Sequence, residues 1–205
     1  MLRYEKDADD KDILLDHTND QIMMEWERPL MESHINELKP YGDVLEIGFG
    51  MGYSASHIQT YDPKTYTIIE CDPIVIKRCR EWARDYDNVI IIESKWQDVL
   101  DELGTYDIIF FDPTETSNLD KLAYKIAHFN WHFIFIELCI HHLMKKGSRL
   151  SVFLPTTILQ KYRKFISEQH KITYYETRFL SNISNECRYK RQNDELIIPI
   201  IEKIR

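Results

Sequence analysis

Short apolar runs recur through the middle of the chain, with amphipathic stretches between them. From Tyr41 onward, Asp43–Ile47, Tyr66–Ile69, Asn88–Ile92, Tyr106–Phe111 and Ser148–Leu154 are almost continuously apolar. Runs of this kind, without polar alternation, predict strands buried on both faces of a parallel sheet. Between them, Tyr53–Gln59, Ile74–Tyr86, Trp96–Leu103 and Asn130–Lys146 read as helices. Strand alternating with helix predicts an α/β fold. The pattern changes at the end, where Lys171–Leu180 and Glu195–Ile201 are both strand-like and predict an antiparallel closing hairpin at one sheet edge. The expected architecture is therefore a Rossmann-like, mostly parallel sheet of about seven strands.

The N-terminal part reads differently. Residues 1–17 carry Asp7, Asp9, Asp10 and Asp12 close together and are expected to be a mobile arm. Thr18-Asn-Asp-Gln21 has the spacing of a capping box. A helix is expected over 18–39, with Ile22, Trp26 and Leu30 on one face, kinked at Pro29 or split there into two pieces. The core is expected over 41–205, and the whole chain as one domain.

Composition narrows the function. Of 205 residues, 43% are hydrophobic and 29% charged, as in an ordinary globular protein, and the net charge is −8. That balance argues against a nucleic acid or an anionic membrane as partner. The basic stretch Lys161–Lys171 reads as a solvated helix face. The longest apolar stretch, Trp131–Ile140, is broken by His132 and Glu137 and is too short to span a bilayer. The four cysteines form no C-x-x-C pair, and the start of the chain is too polar for a signal peptide. A cytoplasmic protein, monomeric or homodimeric, is expected. His128 and His132, and the adjacent His141 and His142, lack the other ligands of a zinc pattern, so no metal is expected.

The chemistry concentrates behind the first of the apolar runs. Gly48, Gly50 and Gly52 follow it and open a helix. Glycine there lets the backbone turn tightly and approach a ligand, and the helix N-terminus offers free N–H groups. Glu70, at the end of the next run, is placed to accept bonds from ribose hydroxyls. Gly50-Met-Gly-Tyr-Ser-Ala55 also fits the looser dinucleotide fingerprint, so the loop alone leaves a nicotinamide-dependent oxidoreductase open. Two acids tilt the reading toward a methyl donor. Glu46 precedes the glycines inside the strand, and Asp112 ends another strand at the ligand-binding edge of the sheet.

Met23-Met-Glu-Trp-Glu-Arg-Pro-Leu-Met31, Val44-Leu-Glu-Ile-Gly-Phe-Gly-Met51, Ile68-Ile-Glu-Cys71 and Trp96-Gln-Asp-Val99 together resemble guanidinoacetate N-methyltransferase. The Trp26-Glu27 helix joined to the glycine loop is shared with the related fungal protein-arginine methyltransferases. Thinner matches follow at His128-Phe-Asn130 and Cys187-Arg-Tyr189. The resemblance implies S-adenosyl-L-methionine as donor and a small guanidino compound as acceptor, guanidinoacetate first and an arginine side chain next. It implies that Met23 and Met31 line the donor pocket, and that Glu46 and Gly48 are among the donor-binding residues. Phe49, Gly50, Met51, Gly52, Tyr53 and Ser54 would wrap the donor's methionine portion. Glu70 would hold the ribose, Cys71 and Asp72 would border the adenine, and Trp96 would pack near it. Glu27 and Asp112 would bind the guanidinium, Asp112 as the base. A non-catalytic protein that keeps the donor fold is the remaining alternative.

Three departures from the family stand out. No match to its aromatic N-terminal lid precedes Met23, Tyr4 being the only aromatic there. Phe111-Asp-Pro-Thr114 alters the loop after Asp112. Pro155 stands in the loop whose N–H groups hold the acceptor's carboxylate in the family, and proline has no N–H to offer.

Overall fold

The computed structural model describes residues 2–114, 131–153, 172–180 and 195–204. Pro155, His128, Cys187 and the Lys161–Lys171 stretch lie outside the described residues. Seven strands form the main sheet: β4 (Asp43–Ile47), β5 (Thr65–Glu70), β6 (Val89–Glu93), β7 (Tyr106–Phe111), β8 (Met144–Val152), β9 (Ile172–Leu180) and β10 (Glu195–Lys203), in the order β6-β5-β4-β7-β8-β10-β9. The first five run parallel, and β10 pairs antiparallel with both β8 and β9. The expected Rossmann-like sheet with an antiparallel C-terminal hairpin is thus present. The chain steps outward from β4 to β6, then returns to lay β7 on the other side of β4. The helices that follow β4 and β7 therefore pack on opposite faces of the sheet, and a crevice opens at the strands' carboxyl ends.

Side chains alternate along each strand and feed two cores. Val44, Tyr66, Ile68, Ile108 and Phe110 meet α1 (Arg28–Leu38), α2 (Tyr53–Gln59) and α3 (Pro73–Ala83). Leu45, Ile47, Ile69, Ile109 and Phe111 meet α4 (Trp96–Val99) and α5 (Trp131–Leu138). Both faces of the central strands are buried, and so their sequences are continuously apolar. α5 passes through a π-helical turn, Cys139–Leu143, straight into β8. The strand begins at Met144 rather than at Ser148, and the helix is correspondingly shorter than the expected Asn130–Lys146.

The N-terminal expectations fail. Residues 2–17 are not an arm: β1 (Arg3–Lys6) and β2 (Asp12–Leu15) join β3 (Gln21–Met24) in a three-stranded antiparallel sheet. Thr18 caps no helix. The Asp16 carboxylate accepts bonds from the Thr18 N–H at 2.8 Å and the Asp20 N–H at 2.9 Å, tightening the β2–β3 turn. The helical segment starts later, with a 3-10 turn over Glu25–Glu27. There the Glu27 carboxylate reaches back to accept from the Met24 N–H at 2.9 Å. Pro29 falls in the first turn of α1, where a missing N–H breaks no helical bond, so it starts the helix instead of kinking it.

Candidate active site

Gly48 leaves β4 at φ +89° and donates its N–H to the Ile69 carbonyl at 2.9 Å. That bond turns the loop across the end of β5. A Cβ on Gly48 would lie 2.8 Å from the Asp112 carbonyl oxygen, so only glycine lets the loops after β4 and β7 touch. Gly50, at φ +53°, gives way in the same manner to the sulfur of Met23. Glu70 collects the neighbouring backbone: its carboxylate accepts from Phe49 N–H at 3.0 Å, Cys71 N–H at 2.7 Å and Asp72 N–H at 2.9 Å. A carboxylate so supplied is held at one position at the mouth of the crevice.

The crevice is a cavity with four strand ends for a floor. Ile47, Gly48 and Gly50 come from β4 and its loop, Ile69, Glu70 and Cys71 from β5, Ser94, Lys95 and Trp96 from β6, and Phe111 and Asp112 from β7. Leu2, Leu14, Ile22 and Met23 of the small sheet roof it. Trp96 stands edge-on to Phe111 and Phe135, at ring separations of 5.6 and 5.2 Å. Flat apolar walls beside a fixed carboxylate and a glycine-only loop fit a nucleoside carrying a short chain.

Of the residues expected at the site, Met23, Gly48, Gly50, Glu70, Cys71, Trp96 and Asp112 line this cavity. The others do not, and each has a structural reason. Met31 is fully buried in the core under α1. Glu46 lies beneath the loop, where its two oxygens accept from the Ser54 and Tyr66 hydroxyls. Phe49 turns inward to meet the Trp82 ring at 5.5 Å, and Gly52 gives the Phe49 ring room. Met51 and Tyr53 are buried in the core, although the Met51 N–H points at the Met23 sulfur, 3.3 Å away. Asp72 caps α3 through the Ile74 N–H at 2.9 Å, and its second oxygen accepts from the Leu2 N–H at 3.2 Å.

That last bond belongs to a feature the sequence did not disclose. The small sheet ties itself to both walls of the cavity. Tyr4 donates its hydroxyl to the Gly50 carbonyl at 2.6 Å, and the Arg78 guanidinium lies over the Tyr4 ring, 4.5 Å from its centre. Tyr4, the lone aromatic before Met23, therefore reaches the glycine loop after all. Tyr4→Phe should weaken S-adenosylhomocysteine binding by about three- to tenfold, the worth of one such bond. Isothermal titration would show this, and an unchanged affinity would mean that the roof does not hold the loop.

Three acids face one another behind the cavity. Glu27 is 3% exposed and Glu46 fully buried. Burial pushes each carboxyl up to about 7, against the pull of the bonds they accept. Asp112 is raised well above the carboxylate range, first by its removal from water, then by Glu27 and then by Glu46. Among the described residues, no ion pair includes any of the three. A cluster of this kind stabilises a cation that enters it and takes up a proton near neutrality. Also among the described residues, no group of three His, Cys, Asp or Glu side chains could hold a metal, and no helix is long and apolar enough to cross a membrane.

The sequence pattern of a family described as guanidinoacetate N-methyltransferase matches residues 3–193. Protein arginine N-methyltransferase 2 of Candida glabrata is 38% identical over 118 residues, covering 54% of this chain and 27% of that protein. The protein of the same name from Saccharomyces cerevisiae is 34% identical over 118 residues, covering 54% and 28%. The match thus spans about a quarter of the length of these relatives. Among solved structures, the N-methyltransferase NodS from Bradyrhizobium japonicum superposes with a TM-score of 0.57 at 13% identity, covering 88% of this chain and 97% of that one. The O-methyltransferase TomG from Streptomyces achromogenes, solved with its methyl donor, gives a TM-score of 0.59 at 11% identity, covering 87% and 80%. At such identities the structural likeness shows the fold.

Proposed function

The chain belongs to the guanidinoacetate N-methyltransferase family, and from that premise we propose that it transfers a methyl group from S-adenosylmethionine to a guanidino nitrogen. The observation that carries the acceptor class is the set of acids Glu27 and Asp112, backed by Glu46, with no cation paired to any of them among the described residues. A guanidinium is the cation whose planar fork such carboxylates bind best.

The chemistry then follows from charge. A guanidinium, with a pKa of about 12.5–13.8, is protonated at any ordinary pH, and its nitrogens are poor nucleophiles in that state. Bound over the glycine loop, the donor supplies a methyl group on a positively charged sulfur. Glu27, fixed by the Met24 N–H, orients the fork. Asp112 accepts the guanidinium proton as the nitrogen–carbon bond forms and the carbon–sulfur bond breaks, its electron pair staying on sulfur. The raised Asp112 carboxyl is a stronger base than an ordinary aspartate. Met23, Gly50 and Glu70 place the donor, and Trp96 with Phe111 packs its flat ring.

Guanidinoacetate is the leading acceptor under this proposal, with creatine as the product. The arginine methyltransferase relatives support a second reading in which an arginine side chain is the acceptor. We place the enzyme in the cytoplasm, in keeping with the buried free thiols of Cys79 and Cys139. The test is mass spectrometry of products made from labelled donor with a panel of guanidinoacetate, other small guanidino compounds and arginine-containing protein. Label on a guanidino nitrogen is expected. Label only on amines, oxygens or nucleic acid would overturn the acceptor class.

A further inference from the structure

α1 carries a histidine that is fully buried and that the chemistry above does not use. The His34 Nδ1 lies 2.8 Å from the Ser151 hydroxyl oxygen on β8. Ser151 donates its only proton to the Pro199 carbonyl on β10, 2.7 Å away. The hydroxyl oxygen must therefore accept from His34, and so Nδ1 bears the ring proton and Nε2 is bare. Nε2 is buried and has no hydrogen-bond partner among the described residues. Burial also pushes the imidazole down to about 3, which keeps the ring neutral.

Such a residue is a poor choice for stability alone. A bare buried nitrogen costs free energy that a leucine of similar volume would not. Its benefit is directional, since one hydrogen-bond chain crosses from α1 to β8 to β10. His34 stands seven residues after Glu27. Glu27 is the N-cap residue of α1, so the orientation of the helix that carries His34 also sets where Glu27 sits. The His34 ring also packs on Phe110, with centroids 5.4 Å apart, and on Phe153 at 6.3 Å. Phe110 is two residues before Asp112, on the same face of β7. His34 thus belongs to the helix that Glu27 caps, and its ring touches the strand that ends just before Asp112.

We propose that His34 is a positioning residue: through Ser151 and Pro199 it fixes the rotation of α1 on the sheet and so sets Glu27 against Asp112. This rests on the guanidino reading for what the pair does, but not for how the pair is held.

The experiment compares His34→Leu with His34→Asn, whose amide can still donate to Ser151. Two readouts are taken. The first is kcat and KM on whichever acceptor the wild type methylates. The second is the ratio of S-adenosylmethionine to S-adenosylhomocysteine affinity across pH 5–9. The two ligands differ by the sulfonium charge, so the ratio reports the negative charge of Glu27, Asp112 and Glu46 without any acceptor. His34→Leu should keep the wild-type melting temperature or exceed it, yet lower kcat/KM by about tenfold, the penalty of small misplacement. It should also move the midpoint of the affinity ratio by about half a pH unit or more. His34→Asn should return both readouts to within about threefold of wild type. A His34→Leu enzyme with both readouts unchanged overturns the proposal. So does a loss of both that simply tracks a fall in melting temperature and is not restored by asparagine. A wild type that methylates no guanidino compound sinks the acceptor reading instead, and the affinity ratio still decides the role of His34.

Discussion

Asp112→Asn should lower turnover by about a thousandfold while S-adenosylhomocysteine binds within about threefold of wild type, as expected when a general base is lost and the scaffold is kept. Asparagine preserves the shape at the end of β7 and the 3.1 Å bond from the residue 112 N–H to the Ile47 carbonyl, so the loop should stay in place. What it removes is the only acid of the three that lines the cavity. The pH dependence gives an independent check. Glu27, at about 7, and Asp112, raised by its neighbours, must both be ionised to hold a cation and accept its proton. Wild-type kcat/KM should therefore climb as pH rises through 7. Stability should run the other way. The folded state holds protons on Glu27 and Glu46 that the unfolded chain, with carboxyls near 4.5, has released. Folding stability should thus decline as pH rises from about 4.5 through 7, and the raised Asp112 adds to that decline. Stopped-time assays and melting curves across pH 5–9 measure both. Unchanged turnover in Asp112→Asn would remove Asp112 from the chemistry.

Gly48→Ala is expected to be nearly as damaging, for a reason unrelated to proton transfer. The methyl group would meet the Asp112 carbonyl oxygen at 2.8 Å and the Pro113 Cα at 3.3 Å, both backbone atoms that cannot swing aside. It would also have to adopt φ +89°, which alanine strongly disfavours. Relief can come only by parting the loops after β4 and β7, which opens the donor site and shifts Asp112 together. S-adenosylhomocysteine affinity should fall by at least about thirtyfold and kcat with it, readable by titration calorimetry and single-turnover assay. Gly52→Ala carries the same positive-φ strain, at +75°, but its Cβ meets the buried Phe49 ring and not the backbone of the β7 loop. Equal affinity in Gly48→Ala and wild type would mean that the loop is not the donor's seat.

The two faces of the sheet were legible in the sequence because β4, β5 and β7 are buried on both sides, and burial writes itself as an unbroken apolar run. The floor of the cavity was legible for the same reason. Once the strand ends are placed, Gly48, Glu70 and Asp112 fall at the open edge. The roof was not. Ile22, Trp26 and Leu30 stand at helical spacing, but Gln21–Met24 is extended and the helical segment begins only at Glu25. Strands of four residues flanked by aspartates carry too little period to outweigh that coincidence. The contacts that make the roof functional join residues 70 and 46 positions apart, Leu2 to Asp72 and Tyr4 to Gly50, and no local pattern encodes them. Met31, Tyr53 and Glu46 show the opposite case, being buried. They belong to the right motifs, but pleat and helix phase turn them into the core.

The placement of β10 between β8 and β9 has a consequence for how the chain reaches this state. β9 emerges from the ribosome with no edge to join, because the strand that links it to the sheet is made after it. Until Glu195–Lys203 arrives, β8 presents an open edge, the Ser151 hydroxyl lacks the Pro199 carbonyl, and the carbonyls of Ile140 and Met144 lack the Lys203 ammonium that binds them at 2.6 and 2.7 Å. The nucleoside half of the sheet can form early from neighbouring segments, whereas the half that secures α1 waits for the last strand. Synthesis of this protein therefore passes through a stage with a formed glycine loop and an unsecured acid pair, exposed to edge-to-edge association for as long as β10 is missing.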